Sequence, residues 1–419
     1  MRDRGYLFQC TNLKALDTAL LSSTPTSPLS AYLGFDATAD SLHVGSLLQI
    51  MILRHLQKSG ARPVVLVGGA TSKVGDPTGK DESRKMLDDD DIGNNIKGIS
   101  KVFETFINFE EDNEEEGQPK AKMVNNEDWL GGLKYLNFLR DYGTYFTVNR
   151  MLSFESVKQR MARENPLSFL EFNYMILQAY DFLELSRREG VQLQLGGSDQ
   201  WGNIVQGVEL TRKVDQKQVF GLTAPLITTS DGKKMGKTEG GAIWLNADKF
   251  SPYEYWQFWR NTADADVARF LKLFTEIPLD VIEKLSQLEG ASINEAKKIL
   301  ADEATALLHG PDCIASIRET ADNLFASKSD GAAGDTSGLE RVVLSRSDLG
   351  TAKAVDMFLQ LKLATSKKDA KRLIAGGGAR IVNEQITDEA YVLREEDFVD
   401  GECVLRAGKK RAGVVVLEE

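Results

Sequence analysis

The stretch LSAYLGFDATADSLHVGSLLQIMILRHLQKSGARPVVLVGGA, residues 29–70, decides the fold. Residues 31–35 form a short apolar run, and ATADS follows as a turn carrying capping residues. The segment from Leu42 onward has helical periodicity and closes at Gly60. A second apolar run, PVVLV, begins three residues later. Strand, helix and strand over this length predict a βαβ unit with a parallel sheet. The unit lacks G-x-G-x-x-G, so it carries no dinucleotide fingerprint.

Outward from this unit, EEDNEEEG (110–117) reads as a solvated acidic loop. NPLSFLEFNYMILQAYDFLELSRREG predicts a long helix ending at Gly190, and VQLQLGGSDQWGNI a strand entering a Gly-rich turn and a helix. Residues 251–325 are helical in pattern, and SKSDGAAGDTSG (327–338) is a linker. The chain has 419 residues, which suggests about three domains. Its formal charge of -11 argues against indiscriminate nucleic-acid binding, though not against a local basic patch. Cys10, Cys313 and Cys403 are too scattered for a disulfide framework or a zinc site. No apolar run reaches the roughly 20 residues of a membrane span, and the first residues, MRDRGYLFQC, show no signal-peptide core.

Five stretches carry chemistry. His43 is expected in the first turn of a helix that follows a parallel strand, where free N–H groups and the dipole favour an anion. Gly45 and Ser46 follow it. A histidine that only caps or packs is the plain alternative. Tyr174, Gln178 and Asp181, spaced four and three apart, share one face of a helix that is apolar elsewhere. A buried polar face needs partners, such as a ligand with an amine and a hydroxyl. A surface stripe is the alternative. Gly197, Asp199 and Gln200 follow a strand, where parallel sheets bind ligands and carboxylates hold ribose. There the alternative is a capping Asp.

The fourth stretch, GGATSKVGDPTGKDESR, holds Asp76, Lys80 and Arg84. The fifth, SDGKKMGKTEGG (230–241), sets Lys233, Lys234, Lys237 and Thr238 among glycines, as a mobile phosphate clamp or an ordinary surface turn. Neither stretch is a P-loop: Asp231 stands where a Gly is required, and Asp81 where Ser or Thr is required.

In their order along the chain, YLGFDATADSLHVG, GDPTGK, YMILQAYDF, GGSDQWGNI and KMGKT resemble the class I aminoacyl-tRNA synthetases, specifically the bacterial-type or organellar tyrosyl family. HVGS is similar to that family's HIGH signature and KMGKT to its KMSKS signature. The resemblance implies an α/β fold: a Rossmann-like parallel-sheet domain at 1–245 with an inserted dimerisation region, and an α-helical anticodon-stem domain at 246–325. A flexible linker at 326–348 and a small α+β alpha-L RNA-binding domain at 349–419 complete it.

The resemblance also implies the reaction. Tyrosine and ATP, with Mg²⁺ and no prosthetic group, give tyrosyl-adenylate and pyrophosphate. The tyrosyl group then passes to the terminal adenosine of tRNA(Tyr). Tyr32 and Asp181 match the phenol contacts. Asp76, Tyr174 and Gln178 match those to the ammonium, and Gln200 lies near the carboxylate. Gly34, Asp36, His43, Gly45, Ser46, Gly197, Asp199 and Lys237 match the ATP site. His43, Lys80, Arg84, Lys234, Lys237 and Thr238 are the expected catalytic set, and no resident metal is implied.

Two positions depart from the signatures. Ser46 replaces the last histidine of HIGH, leaving a weaker hydroxyl contact, and Gly236 replaces a serine, adding flexibility. In the C-terminal region Lys367, Lys368, Lys371 and Arg372 fall on one helical face, with Arg380 after a Gly-rich turn. They form an expected tRNA-phosphate patch, with a solvated helix as the alternative. A cytoplasmic homodimer is implied, or an organellar enzyme if a transit peptide is missing. The competing readings are the tryptophan enzyme, which should lack the Tyr32–Asp181 pair, and a non-catalytic RNA-binding relative.

Overall fold

The computed structural model describes residues 1–77, 87–109, 118–164, 166–232, 235–238, 241–326, 336, 339–382, 384–408 and 411–418. Lys80, Arg84, Lys234, the 110–117 run and nearly all of the 327–338 linker lie outside the described residues. The chain forms two compact units. One comprises 1–236 with 265–287, and the other 237–264 with 288–419.

The first unit is built on a six-stranded sheet: β1 (Gln9–Cys10), β2 (Ser30–Asp36), β3 (Arg62–Gly68), β4 (Lys122–Asn125), β5 (Val191–Gly197) and β6 (Phe220–Ala224). Its order is β1-β6-β5-β2-β3-β4, parallel except where β1 pairs antiparallel with β6. Val64, Val65, Leu66 and Val67 in β3 are all buried, as expected of a parallel strand covered on both faces.

Helix α1 (Val44–Lys58) joins β2 to β3, and α2 (Asp89–Phe106) lies between β3 and β4. α3 (Phe169–Arg188) opens on a capping box of Ser168 and Glu171, and α4 (Trp201–Asp215) follows β5. β3 and β4 extend the sheet on one side of β2, and β5 and β6 on the other. The strand order therefore reverses between β2 and β5. In such sheets the crevice at the strand C-terminal ends of that reversal binds ligands. Asp36 ends β2 and Gly197 ends β5 there. Helix Asp264–Phe274 belongs to this unit from Ala265 onward, and Ser230 N donates to Asp266 at 2.8 Å. Just beyond, Glu276 pairs with Arg54 and Lys58 at 2.8 and 2.7 Å.

The second unit begins with a short hairpin, β7 (Lys237–Thr238) and β8 (Gly241–Ala242). Three of its helices are α5 (Pro252–Arg260), α6 (Ile293–His309) and α7 (Cys313–Ala326). Trp256 Nε1 donates to Asp302 at 2.8 Å and ties α5 to α6. A five-stranded sheet follows, with β9 (Glu340–Leu344), β10 (Ala379–Ile381), β11 (Glu384–Ile386), β12 (Glu402–Ala407) and β13 (Arg411–Leu417) in the order β11-β10-β12-β13-β9. Helices α8 (Ala354–Gln360) and α9 (Lys367–Ala375) share a core with it through Phe358, Ala370, Ile374, Leu405 and Val415.

Candidate active site

The helix after β2 begins at Val44, two residues later than the sequence pattern suggests. His43 is the N-cap rather than part of the first turn, because its Nδ1 accepts the Gly45 N–H at 2.9 Å. It thereby satisfies one of the donors that a helix start leaves unpaired. With Nδ1 as acceptor, the neutral ring carries its hydrogen on Nε2. Ser46 N donates to His43 O at 2.8 Å and closes the first turn.

The Met235–Gly236 turn lies against this helix start. A Cβ on Gly236 would stand 2.8 Å from Gly45 N and 3.1 Å from His43 Nδ1, and Gly236 has φ +94. The sequence reading took this glycine as added flexibility. The structure gives a further reason: a side chain there has neither the room nor the backbone conformation.

On α3 the expected polar face is real, and each member meets a partner from another element. Asp181 is 2% exposed. Its Oδ1 accepts from Trp129 Nε1 at 2.7 Å, and its Oδ2 from Asn126 Nδ2 at 3.1 Å. Burial pushes the Asp181 carboxyl up to about 7; these two donors oppose the rise, while Asp36 and Glu184 add to it. Tyr32, in the central strand, is 1% exposed and packs against Phe182 with the rings tilted and their centroids 5.2 Å apart. Burial and the Asp181 charge hold its phenol well above the usual range. Among the described residues its hydroxyl has no hydrogen-bond partner. A buried hydroxyl in that state costs about 1–3 kcal/mol, so it favours any ligand that supplies a polar atom.

Two turns back along α3 from Asp181, Tyr174 donates its hydroxyl to Asp36 Oδ1 at 3.1 Å, where Thr71 also donates at 3.1 Å. That fixes the polarity of Tyr174: its hydrogen points at Asp36, and its lone pairs are left to accept from a cation. The structure thus sets Asp36 behind this tyrosine. Asp76 accepts from Gln200 Nε2 at 2.7 Å, and Gln178 Nε2 donates to Gln200 Oε1 at 3.3 Å. Asp76 N also donates to Asp36 Oδ2 at 3.4 Å, so Tyr174, Gln178, Asp76 and Gln200 form one connected polar cluster, with Asp181 further along the same helix face and Tyr32 on β2.

At the crevice, Gly34 is exposed in the middle of β2 although its Cβ would meet only Leu66, at an ordinary 3.8 Å. Packing does not require a glycine there, and its absence of a side chain leaves the backbone open to close approach by a ligand. Gly197 ends β5, and its Cβ would lie 2.6 Å from Asp199 Oδ1, so a side chain there would displace that carboxylate. Asp199 is exposed at that turn. Lys237 and Thr238 form the first strand of the β7–β8 hairpin in the second unit. Lys80, Arg84 and Lys234 lie outside the described residues. No group of three metal-ligating side chains stands ready for a resident metal among the described residues.

Sequence reading missed Asn126, Trp129 and Asn203. Asn126 and Trp129 stand at and just after the end of β4, where no periodicity marks them. Asn203 follows Gln200 by three residues, one helical turn, and that spacing was its only signal.

On the C-terminal helix Lys367, Lys368, Lys371 and Arg372 are all exposed, as is Arg380 on β10. Lys367 pairs with Asp356 at 2.7 Å, Arg372 with Asp369 at 2.8 Å and Lys371 with Glu389 at 3.6 Å. Exposed pairs of this kind contribute about 0–1 kcal/mol, so they hold these cations only weakly.

Residues 24–326 match the family model "tRNA synthetases class I (W and Y)", and 337–415 match "Tyrosine--tRNA ligase SYY-like C-terminal domain". The chain is 55% identical over 415 residues to the tyrosine–tRNA ligase of Rhodospirillum rubrum, spanning 99% of this chain and 96% of that one. It is 57% identical over 416 residues to that of Zymomonas mobilis, spanning 99% and 97%. The crystal structure of a C-terminally truncated mitochondrial tyrosyl-tRNA synthetase from Aspergillus nidulans matches with a TM-score of 0.67 at 32% identity, over 77% of this chain and 92% of that one. With a family model matched over most of its length and relatives more than half identical across it, the chain belongs to the class I tRNA synthetases of the W and Y family.

Proposed function

We infer that this chain activates L-tyrosine with ATP and transfers it to tRNA(Tyr). The observation that carries the reading is the buried pair Tyr32 and Asp181, set at one end of a helix face whose other end is a cluster of acceptors. A phenol donates to the Asp181 carboxylate and accepts from Tyr32. The ammonium is held by Tyr174, Asp76 and Gln178, and Gln200 lies toward the carboxylate.

ATP enters with its Mg²⁺ as substrate, its phosphates at the α1 start with His43, Gly45 and Ser46. Gly34, Asp36, Gly197 and Asp199 line the nucleoside side. The tyrosine carboxylate attacks the α-phosphorus, the P–O bond to pyrophosphate breaks, and charge grows on the leaving group. The chain's task is positioning and charge stabilisation. His43, Lys80, Arg84, Lys234, Lys237 and Thr238 are assigned to that charge. The adenosine hydroxyl of the tRNA then attacks the acyl carbon and adenylate leaves.

The assignments 1–245 for activation, 246–325 for the anticodon stem, 326–348 for a linker and 349–419 for RNA contact complete the reading. Lys367, Lys368, Lys371, Arg372 and Arg380 would meet tRNA phosphates. A homodimer is supported by the apolar side chains exposed between β4 and β5, among them Leu136, Val148 and Phe169 at 76%, 60% and 68% exposure. We place the enzyme in the cytoplasm. No described helix is long and apolar enough to cross a membrane.

Amino-acid-dependent ATP–pyrophosphate exchange tests the reading with tyrosine, tryptophan and phenylalanine in parallel. Exchange with tyrosine alone is expected. Exchange with tryptophan overturns the substrate, and none with any of the three overturns the enzyme.

A further inference from the structure

Asn203 has no role in the reaction as described so far, yet it closes a triangle of amides against Asp76. A primary amide has a donor end and an acceptor end of nearly equal shape, so something must decide which way it faces. Asp76, as a carboxylate, only accepts. Gln200 therefore turns its nitrogen to Asp76, at 2.7 Å, and its oxygen to the other side. That oxygen accepts from Gln178 Nε2 at 3.3 Å and from Asn203 Nδ2 at 3.2 Å. Gln178 has then committed its nitrogen to Gln200, and its own oxygen accepts from Asn203 Nδ2 at 2.9 Å. Asn203 is 5% exposed, so water does not replace it easily.

We infer that Asn203 is a positioning residue for the amino-acid ammonium. Its single NH₂ group donates to both glutamine oxygens and fixes the flip of both amides. Gln178 Oε1 then keeps its second lone pair for a substrate N–H. Without that lock Gln178 turns its own NH₂ toward the ammonium, donor against donor. The inference rests on the tyrosine-activating reading above, and it adds a residue to it.

The test compares donor with shape. Asn203→Asp keeps the outline but sets an acceptor between two acceptor oxygens. Asn203→Ala removes both bonds, and Asn203→Ser restores one donor. In pyrophosphate exchange the KM for tyrosine is expected to rise about 3- to 10-fold in Asn203→Ala, less in Asn203→Ser, and on the order of 100-fold in Asn203→Asp. The KM for ATP should stay within about twofold, and kcat at saturating tyrosine within about threefold.

A structural role predicts a different order, with Asp, the closest in shape, losing least. Asn203→Asp at or below Asn203→Ala overturns the inference, as does a parallel rise in both KM values. If Asn203→Asp fails to fold, an Asn203→Ser no better than Asn203→Ala overturns it equally. Wild-type protein without tyrosine-dependent exchange sinks the functional reading instead. Active wild type with unaffected Asn203 variants sinks only this inference.

Discussion

Removing the indole donor from Asp181 should change how the enzyme reads a phenol, and change it with pH. Trp129 Nε1 donates to Asp181 Oδ1 at 2.7 Å inside a site where burial has already raised the carboxyl to about 7. A hydrogen bond to a charged acceptor is worth roughly 1.5–3 kcal/mol. At about 1.4 kcal/mol per unit, Trp129→Phe lifts that carboxyl by a further ~1–2 units.

The sign follows from linkage. A carboxyl with a raised folded-state pKa holds its proton in the folded protein where the unfolded chain has lost it. This group's contribution to stability therefore falls as pH rises from about 4 to about 7. Tyrosine needs the ionised form as an acceptor for its phenol hydrogen, so its binding weakens as pH falls through the folded pKa. In Trp129→Phe that weakening moves to higher pH. Pyrophosphate exchange should show the KM for tyrosine raised about 5- to 50-fold near neutrality, with the ratio to wild type shrinking toward about pH 9. Phenylalanine, with no hydrogen to donate, should lose much less. A ratio independent of pH, or an equal loss for phenylalanine, refutes the reasoning. A thermal melt of the variant separates this from loss of the indole's packing.

Four further side chains give direct tests, two of them in one loop. Glu276 is held down to about 2 by Arg54 and Lys58, against an opposing burial effect. Its contribution to stability is therefore present above about 4.5 and lost as pH falls through about 2; discounted for the solvent that reaches the pair, Glu276→Gln should cost about 1–2 kcal/mol at neutral pH and little in acid, by chemical denaturation. A constant difference across that range contradicts it. Gly236→Ser restores the serine of the signature but sets a Cβ 2.8 Å from Gly45 N, so the turn should leave the helix start and hydrogen exchange at 43–46 should quicken; unchanged exchange there counts against the seated turn. In the same loop Lys237→Ala should lower the exchange rate constant and leave the KM for tyrosine alone, and the reverse split would remove it from the leaving-group site. Leu136→Asp should yield monomers in sedimentation velocity, and an intact dimer would move the interface elsewhere.

Much of the first unit was legible because it is local. The apolar runs around Tyr32 and Val65, with a cap and a helix between, state a βαβ unit directly. The spacing of Tyr174, Gln178 and Asp181 puts them on one face whatever surrounds them. What surrounds them was not legible. Asn126 and Trp129 reach Asp181 only because β4 ends beside α3, a consequence of strand order. The polarity of Gln178 comes from a carboxylate about a hundred residues earlier and an asparagine after β5. Gly236 carried a signal of a different kind: the sequence offers conformational freedom, and only the packed structure shows that the space is missing. The direction of each hydrogen bond, which separates a phenol reader from any buried polar patch, emerges only when the partners are assembled.

Tyr32→Phe offers the most direct measurement of the central claim, that Tyr32 and Asp181 together read a phenol. In the wild-type protein phenylalanine leaves the Tyr32 hydroxyl buried without a partner, a state that costs about 1–3 kcal/mol. Removing that hydroxyl removes part of the penalty for phenylalanine and one bond to tyrosine. The ratio of kcat/KM for tyrosine over phenylalanine should then fall by about 5- to 100-fold. A ratio unchanged by Tyr32→Phe would place the discrimination elsewhere in the chain and contradict the account.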